Sequence, residues 1–379
     1  MRGPSAPTGT SCSLARVNPG LRRALLGAFF LLLPRATVAA PPGPGPQPLP
    51  LEQALPEPQP EVDDWTRRVR IGGGIALYYY QPTNGWDNQF LVYSNLRFDA
   101  AYGKFGLHFE PRLSNEKMRP FYDGLAWIQE AYLFAGDDAL ELKVGKIYKQ
   151  VGLFWDNSFY GNIQVYEGLK FDPGAGFSLE SKLGETVGVK AFAQFFVVDG
   201  HTNASLVGRD TISIPGARRR NTAAARVQPF VQLAPNSRLE LGVSGERFEA
   251  DLPDDSHSVR RLAVDAKLTW GGLGFWGEVL HQSGASVNAY PLPEDASADN
   301  TFLLAGAEFG IERFVFRYNL SLARYSDLSV DEVLHLPAFG IRFEEHVSFL
   351  AEYAFWHQYS PTRRSDVDES LNLTWLGHF

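Results

Sequence analysis

Period-two alternation of apolar and polar residues, repeated in short segments from about Trp65 onward, constrains this chain more than any other feature. Phe314-Val315-Phe316-Arg317-Tyr318-Asn319-Leu320-Ser321-Leu322 puts Phe, Phe, Tyr, Leu and Leu on one face and Arg, Asn and Ser on the other. Successive side chains of a strand point to opposite sides, so this pattern separates cleanly only in extended chain; at a helical period the two sets would mix. The segment from Arg261 to Trp270 repeats it, as do those beginning at Phe105, Phe177, Val187 and Leu239. A soluble two-sheet sandwich would alternate in the same way, so the faces alone leave open what covers the apolar side.

Connector lengths decide between the two. The pattern predicts sixteen strands, at 67–80, 88–102, 104–113, 127–136, 139–149, 175–183, 187–199, 217–233, 238–250, 259–270, 273–283, 301–310, 314–326, 333–343, 347–359 and 369–379. Long gaps, the longest at 150–174, alternate strictly with turns such as Gly103, Pro235-Asn236-Ser237 and Gly271-Gly272. An even number of antiparallel strands joined in this way is the plan of an all-β transmembrane barrel with short periplasmic turns and long external loops. No apolar run approaches the roughly 18 residues of a membrane helix. From Thr66 to Phe379 there are about 20 residues per strand and connector, enough for the roughly 9–11 that a tilted membrane strand needs. Lipid offers no hydrogen bonds, so the last strand is expected to pair with the first. Aromatic residues near strand ends, Tyr78 to Tyr80, Trp86, Tyr102, Trp127, Trp270, Trp356, Tyr359 and Trp375, are expected to form interfacial girdles.

The N-terminal region reads differently. Residues 1–39 carry Arg2, Arg16, Arg22, Arg23 and Arg35 with no Asp or Glu, and Ala24 to Leu33 is nearly all apolar. This is the pattern of a secretory signal peptide, with Thr37 and Ala39 placed for cleavage before Ala40. A transit peptide would instead show an amphipathic, Ser-rich helix. Residues 40–65 are rich in Pro and read as an extended linker, which leaves 66–379 for the barrel. Cys12 is the one cysteine and falls in the leader, so neither a disulfide nor a thiolate metal site is expected in the exported chain. Removing five Arg from a chain of formal charge −8 leaves −13, which argues against nucleic acid as a partner.

Leu140-Glu141-Leu142-Lys143-Val144-Gly145-Lys146-Ile147-Tyr148, followed by Val151-Gly152-Leu153, Gly168-Leu169-Lys170 and Phe177-Ser178-Leu179-Glu180, resembles the phosphate-selective porin family of the bacterial outer membrane. The resemblance is local, covering about 40 residues between Ala139 and Glu180; elsewhere only the strand pattern carries it. It implies a sixteen-stranded barrel, usually a homotrimer, whose third external loop folds into the channel. The longest gap here is also the third. The contiguous Arg and Lys ladders that give phosphate-specific members their selectivity have no counterpart in this sequence. The ending Leu371 to Phe379, apolar at alternate positions except Gly377, resembles the signal read by the barrel assembly machinery.

A barrel of this size encloses water, so its inward polar residues form the functional surface. Parity places Arg70, Arg97, Arg112, Lys143, Lys182, Lys190, Arg226, Arg261, Lys267 and Arg317 inward, with Asp99, Glu110, Glu141, Glu180, Glu240, Glu246, Asp265 and Glu352. Numbers so even predict no strong charge preference and fit cross-strand ion pairs that stiffen the wall. Of these, Arg70, Arg97, Arg112, Lys143, Lys190, Arg226 and Arg317 are the pore-lining candidates. Asp156, Tyr160, Tyr166, Glu167, Lys170 and Asp172 in the third loop are the candidates for a charged constriction facing that wall. Acidic runs at 249–255, 294–295, 331–332 and 366–369 are expected in external loops, where they either bind divalent cations that bridge lipopolysaccharide or stay solvated. Arg218-Arg219-Arg220 sits at the external rim.

Enzyme signals are poor. The eight His show no metal-ligand spacing, and no Gly-rich loop carries a Lys, so no metal or cofactor is expected. Ser244, Ser348 and His108 offer only a chance Ser/His combination. The sequence therefore points to passive diffusion of small hydrophilic solutes or ions through an outer-membrane channel. A non-conducting barrel serving as scaffold or adhesin is the alternative, and an outer-membrane hydrolase ranks third.

Overall fold

The structure, a computed structural model, describes residues 67–83, 88–115, 126–137, 139–153, 163, 174–201, 218–251, 256–284, 300–325, 330–344, 346–359 and 366–378. The expected leader and linker, 1–39 and 40–65, and Trp86 lie outside the described residues.

Sixteen strands follow in chain order: β1 (Arg67–Pro82), β2 (Gln89–Tyr102), β3 (Phe105–Ser114), β4 (Ala126–Asp137), β5 (Leu140–Ile147), β6 (Gly174–Leu183), β7 (Val187–His201) and β8 (Arg218–Ala234) in the first half. The second half is β9 (Ser237–Asp251), β10 (Ser256–Trp270), β11 (Leu273–Ser283), β12 (Asn300–Ile311), β13 (Phe314–Tyr325), β14 (Val330–Glu344), β15 (Val347–Tyr359) and β16 (Asp366–His378). Each strand pairs antiparallel with its sequence neighbours, and β1 pairs with β16 from Gly74↔His378 to Pro82↔Ser370, closing the barrel. Closure leaves no unpaired edge. The tight β10–β11 turn needs Gly271, whose φ of 56° suits a two-residue hairpin that matches strand twist.

Alternation along each strand assigns the faces. In β10, Arg261, Ala263 and Asp265 are 3%, 0% and 5% exposed, while Leu262 and Val264 between them are 56% and 54% exposed. The exposed set continues around the wall as Ile71, Leu96, Leu133, Val144, Leu179, Val243, Val279 and Phe316. An apolar belt of this extent has no partner in water and fits the hydrocarbon of a bilayer. Val264→Arg, at the middle of β10, is therefore expected to cost about 2–4 kcal/mol. Urea unfolding of the barrel in lipid vesicles measures it; no change would mean that this face meets water.

Several expectations are corrected by the register. Tyr78 and Trp356 are 4% and 5% exposed and point inward, and Trp127 bonds to Gln129 on the inner side, so these three are not girdle residues; Tyr102, Trp270 and Trp375 do face outward. β10, β14 and β16 each begin three residues before their expected starts, because ladder hydrogen bonds continue past the apolar belt, into Ser256-His257-Ser258 in β10 and into acidic sequence in β14 and β16. Asp331, Glu332 and 366–369 thus belong to strands rather than loops, with Glu332 buried on the inner face and Glu369 accepting a hydrogen bond from Tyr353. Arg218 and Arg220 stand opposite Asp251 and Glu249 in the β8–β9 ladder.

Candidate functional site

The inner wall is lined by charges brought together in pairs. Arg97 Nε lies 3.0 Å from Asp99 Oδ2, Arg112 Nε 2.6 Å from Glu110 Oε1, and Lys143 Nζ 2.8 Å from Glu180 Oε2 and 3.3 Å from Glu141 Oε1. Farther round, Arg261 reaches Glu246 at 2.8 Å and Arg317 reaches Glu308 at 2.6 Å. Arg226 on β8 spans β9 to hold Asp265 on β10 with two bonds of 2.6 and 2.8 Å. That bridge passes over Gly242, the ladder partner of Asp265; a Cβ there would collide with both side chains. Arg70 lies opposite Asp99 in the β1–β2 ladder, and Lys190 opposite Lys182 and Gln228. Parity alone thus brings the expected wall residues to one face, while Glu278 and Glu308 join them from strands whose mixed composition hid their direction.

The start of the third long connector enters the barrel. Gln150 N–H donates to Gln194 on β7 (2.8 Å), Gly152 N–H to Ser244 Oγ on β9 (2.8 Å), Leu153 N–H to Glu278 on β11, and Ile163 N–H to Ser321 on β13 (3.2 Å). Those contacts step across four strands running in the same direction. Gly152 adopts φ 66°, and a side chain there would meet the Glu278 carboxylate, so both backbone and space require glycine. Tyr148, at the root of the loop, donates its N–H to Glu130 at 3.4 Å, and its hydroxyl accepts from Gln129. Asp156, Tyr160, Tyr166, Glu167, Lys170 and Asp172 lie outside the described residues.

Toward the long-loop end the inner face is not polar throughout. Phe248, Leu280, Phe302, Leu334 and Trp356, from β9 to β15, form one buried cluster with Ile163 of the third loop. The expectation of an evenly wet interior therefore fails on this side: Phe302-Leu303-Leu304 is apolar at both parities, so its inward members could not be told apart by pattern. Ser244 is engaged by the loop, and His108 on β3 bonds to Asp99; neither Ser244 nor Ser348 is hydrogen-bonded to His108.

Among solved structures, the chain is similar to the outer membrane channel DcaP of Acinetobacter baumannii, with a TM-score of 0.58, 12% identity, and coverage of 83% of this chain and 97% of that one. A loop L8 deletion mutant of OmpT, an outer membrane protein of Vibrio cholerae, gives 0.57, 12%, 83% and 99%. The anion-selective porin from Comamonas acidovorans gives 0.57, 8%, 83% and 100%. At these identities the likeness is one of fold. No protein-family model matches the sequence, and no curated protein does, so the resemblance to phosphate-selective porins stays local to the residues that carry it.

Proposed function

We propose that this chain is an outer-membrane porin through which small hydrophilic solutes or ions diffuse passively. The supporting observation is the third loop pinned inside a closed barrel by main-chain donors on four wall side chains, an arrangement that suits a narrowed channel. Export through the leader at 1–39, insertion by the barrel assembly machinery, contact with lipopolysaccharide and assembly as a homotrimer belong to the same reading. So does the absence of catalysis: Ser244 is taken by Gly152 N–H and His108 by Asp99.

Planar-bilayer recording of the refolded barrel tests this, with discrete single-channel steps expected. In a salt gradient, Lys170→Glu is expected to move the reversal potential toward cation preference, because a charge in the constriction acts at close range on each passing ion. An unchanged potential would remove Lys170 from the narrow part of the path. The inward apolar cluster around Ile163 favours a second reading, a barrel that is shut and serves as a surface scaffold. Heat-modifiable, folded protein without conductance would select it.

A further inference from the structure

A β-bulge prepares an unassigned site on the inner wall. Between β3 and β4 the register runs Glu110↔Glu130 and then Pro111↔Ile128, leaving Gln129 as the extra residue. Bulges redirect side chains, and here both Gln129 and Glu130 reach inward, Gln129 to the Tyr148 hydroxyl and Glu130 to the Tyr148 N–H. Strict alternation would have separated them. Glu130 thereby joins Glu110 and His108: among the described residues these are the one group whose carboxylate and imidazole ligand atoms all lie within 4.8 Å of one another.

The histidine is fixed in place from one side. Its Nδ1 lies 2.6 Å from Asp99 Oδ1, and Asp99 is itself braced by Arg97 at 3.0 Å. With Nδ1 turned to a carboxylate, Nε2 is the nitrogen left to face a cation. The ring stacks on Tyr132 at 4.7 Å, and its side chain is 3% exposed. Nε2 is buried without a hydrogen-bond partner and faces Glu110 Oε2 at 4.0 Å. Arg112 occupies the other oxygen of Glu110. A buried, unpartnered nitrogen beside two carboxylates is a place where a cation relieves the cost of burial.

We propose that His108, Glu110 and Glu130 bind one divalent transition-metal ion of the zinc class, with Asp99 as the positioning residue behind the histidine. One nitrogen and two carboxylate oxygens suit Zn²⁺, whereas Mg²⁺ and Ca²⁺ favour all-oxygen sets. Ligand bonds of about 2.1 Å place tetrahedral ligands roughly 3.4 Å apart, so the side chains close by rotating slightly. Binding at this place does not depend on conduction.

The test uses the full refolded barrel in detergent, stripped with chelator and titrated with Zn²⁺ in the calorimeter. One equivalent per chain is expected, retained in excess Mg²⁺, and weakened about 10–100-fold in Asp99→Asn and at least as far in His108→Ala. The zinc X-ray absorption spectrum of the wild type is expected to show one imidazole among oxygen ligands, and decides the matter even where a variant does not fold. A spectrum without imidazole, or His108→Ala titrating as the wild type, would overturn the site and leave His108 as an imidazolium bridging Asp99 and Glu110.

Discussion

Gly152→Val is expected to raise single-channel conductance, by about twofold or more. A β-branched residue at φ 66° costs about 1–2 kcal/mol in backbone strain alone, and its side chain would also occupy the space of the Glu278 carboxylate. The loop then loses its bonds to Ser244 and Glu278 together, since both are made by adjacent N–H groups at 152 and 153. Among the described residues, the hydrogen bonds to Gln194 and Ser321 and the packing of Ile163 are then left to hold it. Conductance equal to wild type would mean that the loop does not set the width of the path.

Breaking the Arg226–Asp265 bridge is expected to have the largest effect on stability. Both side chains are almost inaccessible, at 4% and 3% exposure, so Asp265→Ala strands a guanidinium and is expected to cost about 3–5 kcal/mol. The double variant Arg226→Met, Asp265→Leu is expected to recover most of that loss, because replacing both members removes the unpaired charge. Urea unfolding in vesicles, with heat-modifiable migration as the check on folding, compares the two. Equal destabilisation by the single and double variants would show that the cost comes from packing over Gly242 rather than from charge.

The barrel was legible in the sequence because its determinants are local. A strand such as Phe314 to Leu322 announces its period and its faces within nine residues, and Gly271-Gly272 announces the turn. Where the outer end of a strand turns acidic, as at Asp331-Glu332, the apolar signal stops before the hydrogen bonds do, and the strand reads short. Arg226, Arg261 and Arg317 fell on the inner face by counting alone, yet nothing in the sequence showed that Arg226 skips a strand to reach Asp265. Glu130 escaped notice because one inserted residue, Gln129, reverses the parity on which the count depends. The loop anchors were equally hidden: they join main-chain N–H groups to side chains 44 to 158 positions away, and main-chain groups carry no sequence signature.

Those anchors also impose a chronology. Gln194, Ser244, Glu278 and Ser321 emerge during synthesis only after the segment that docks on them, and the last belongs to β13. Docking of the loop therefore waits for the wall, since without β13 in place residue 163 has nothing to which it can fasten. The throat is finished after the wall around it, and a closed barrel in which Gly152 and Ile163 have not yet docked would be the leakiest form this polypeptide can take.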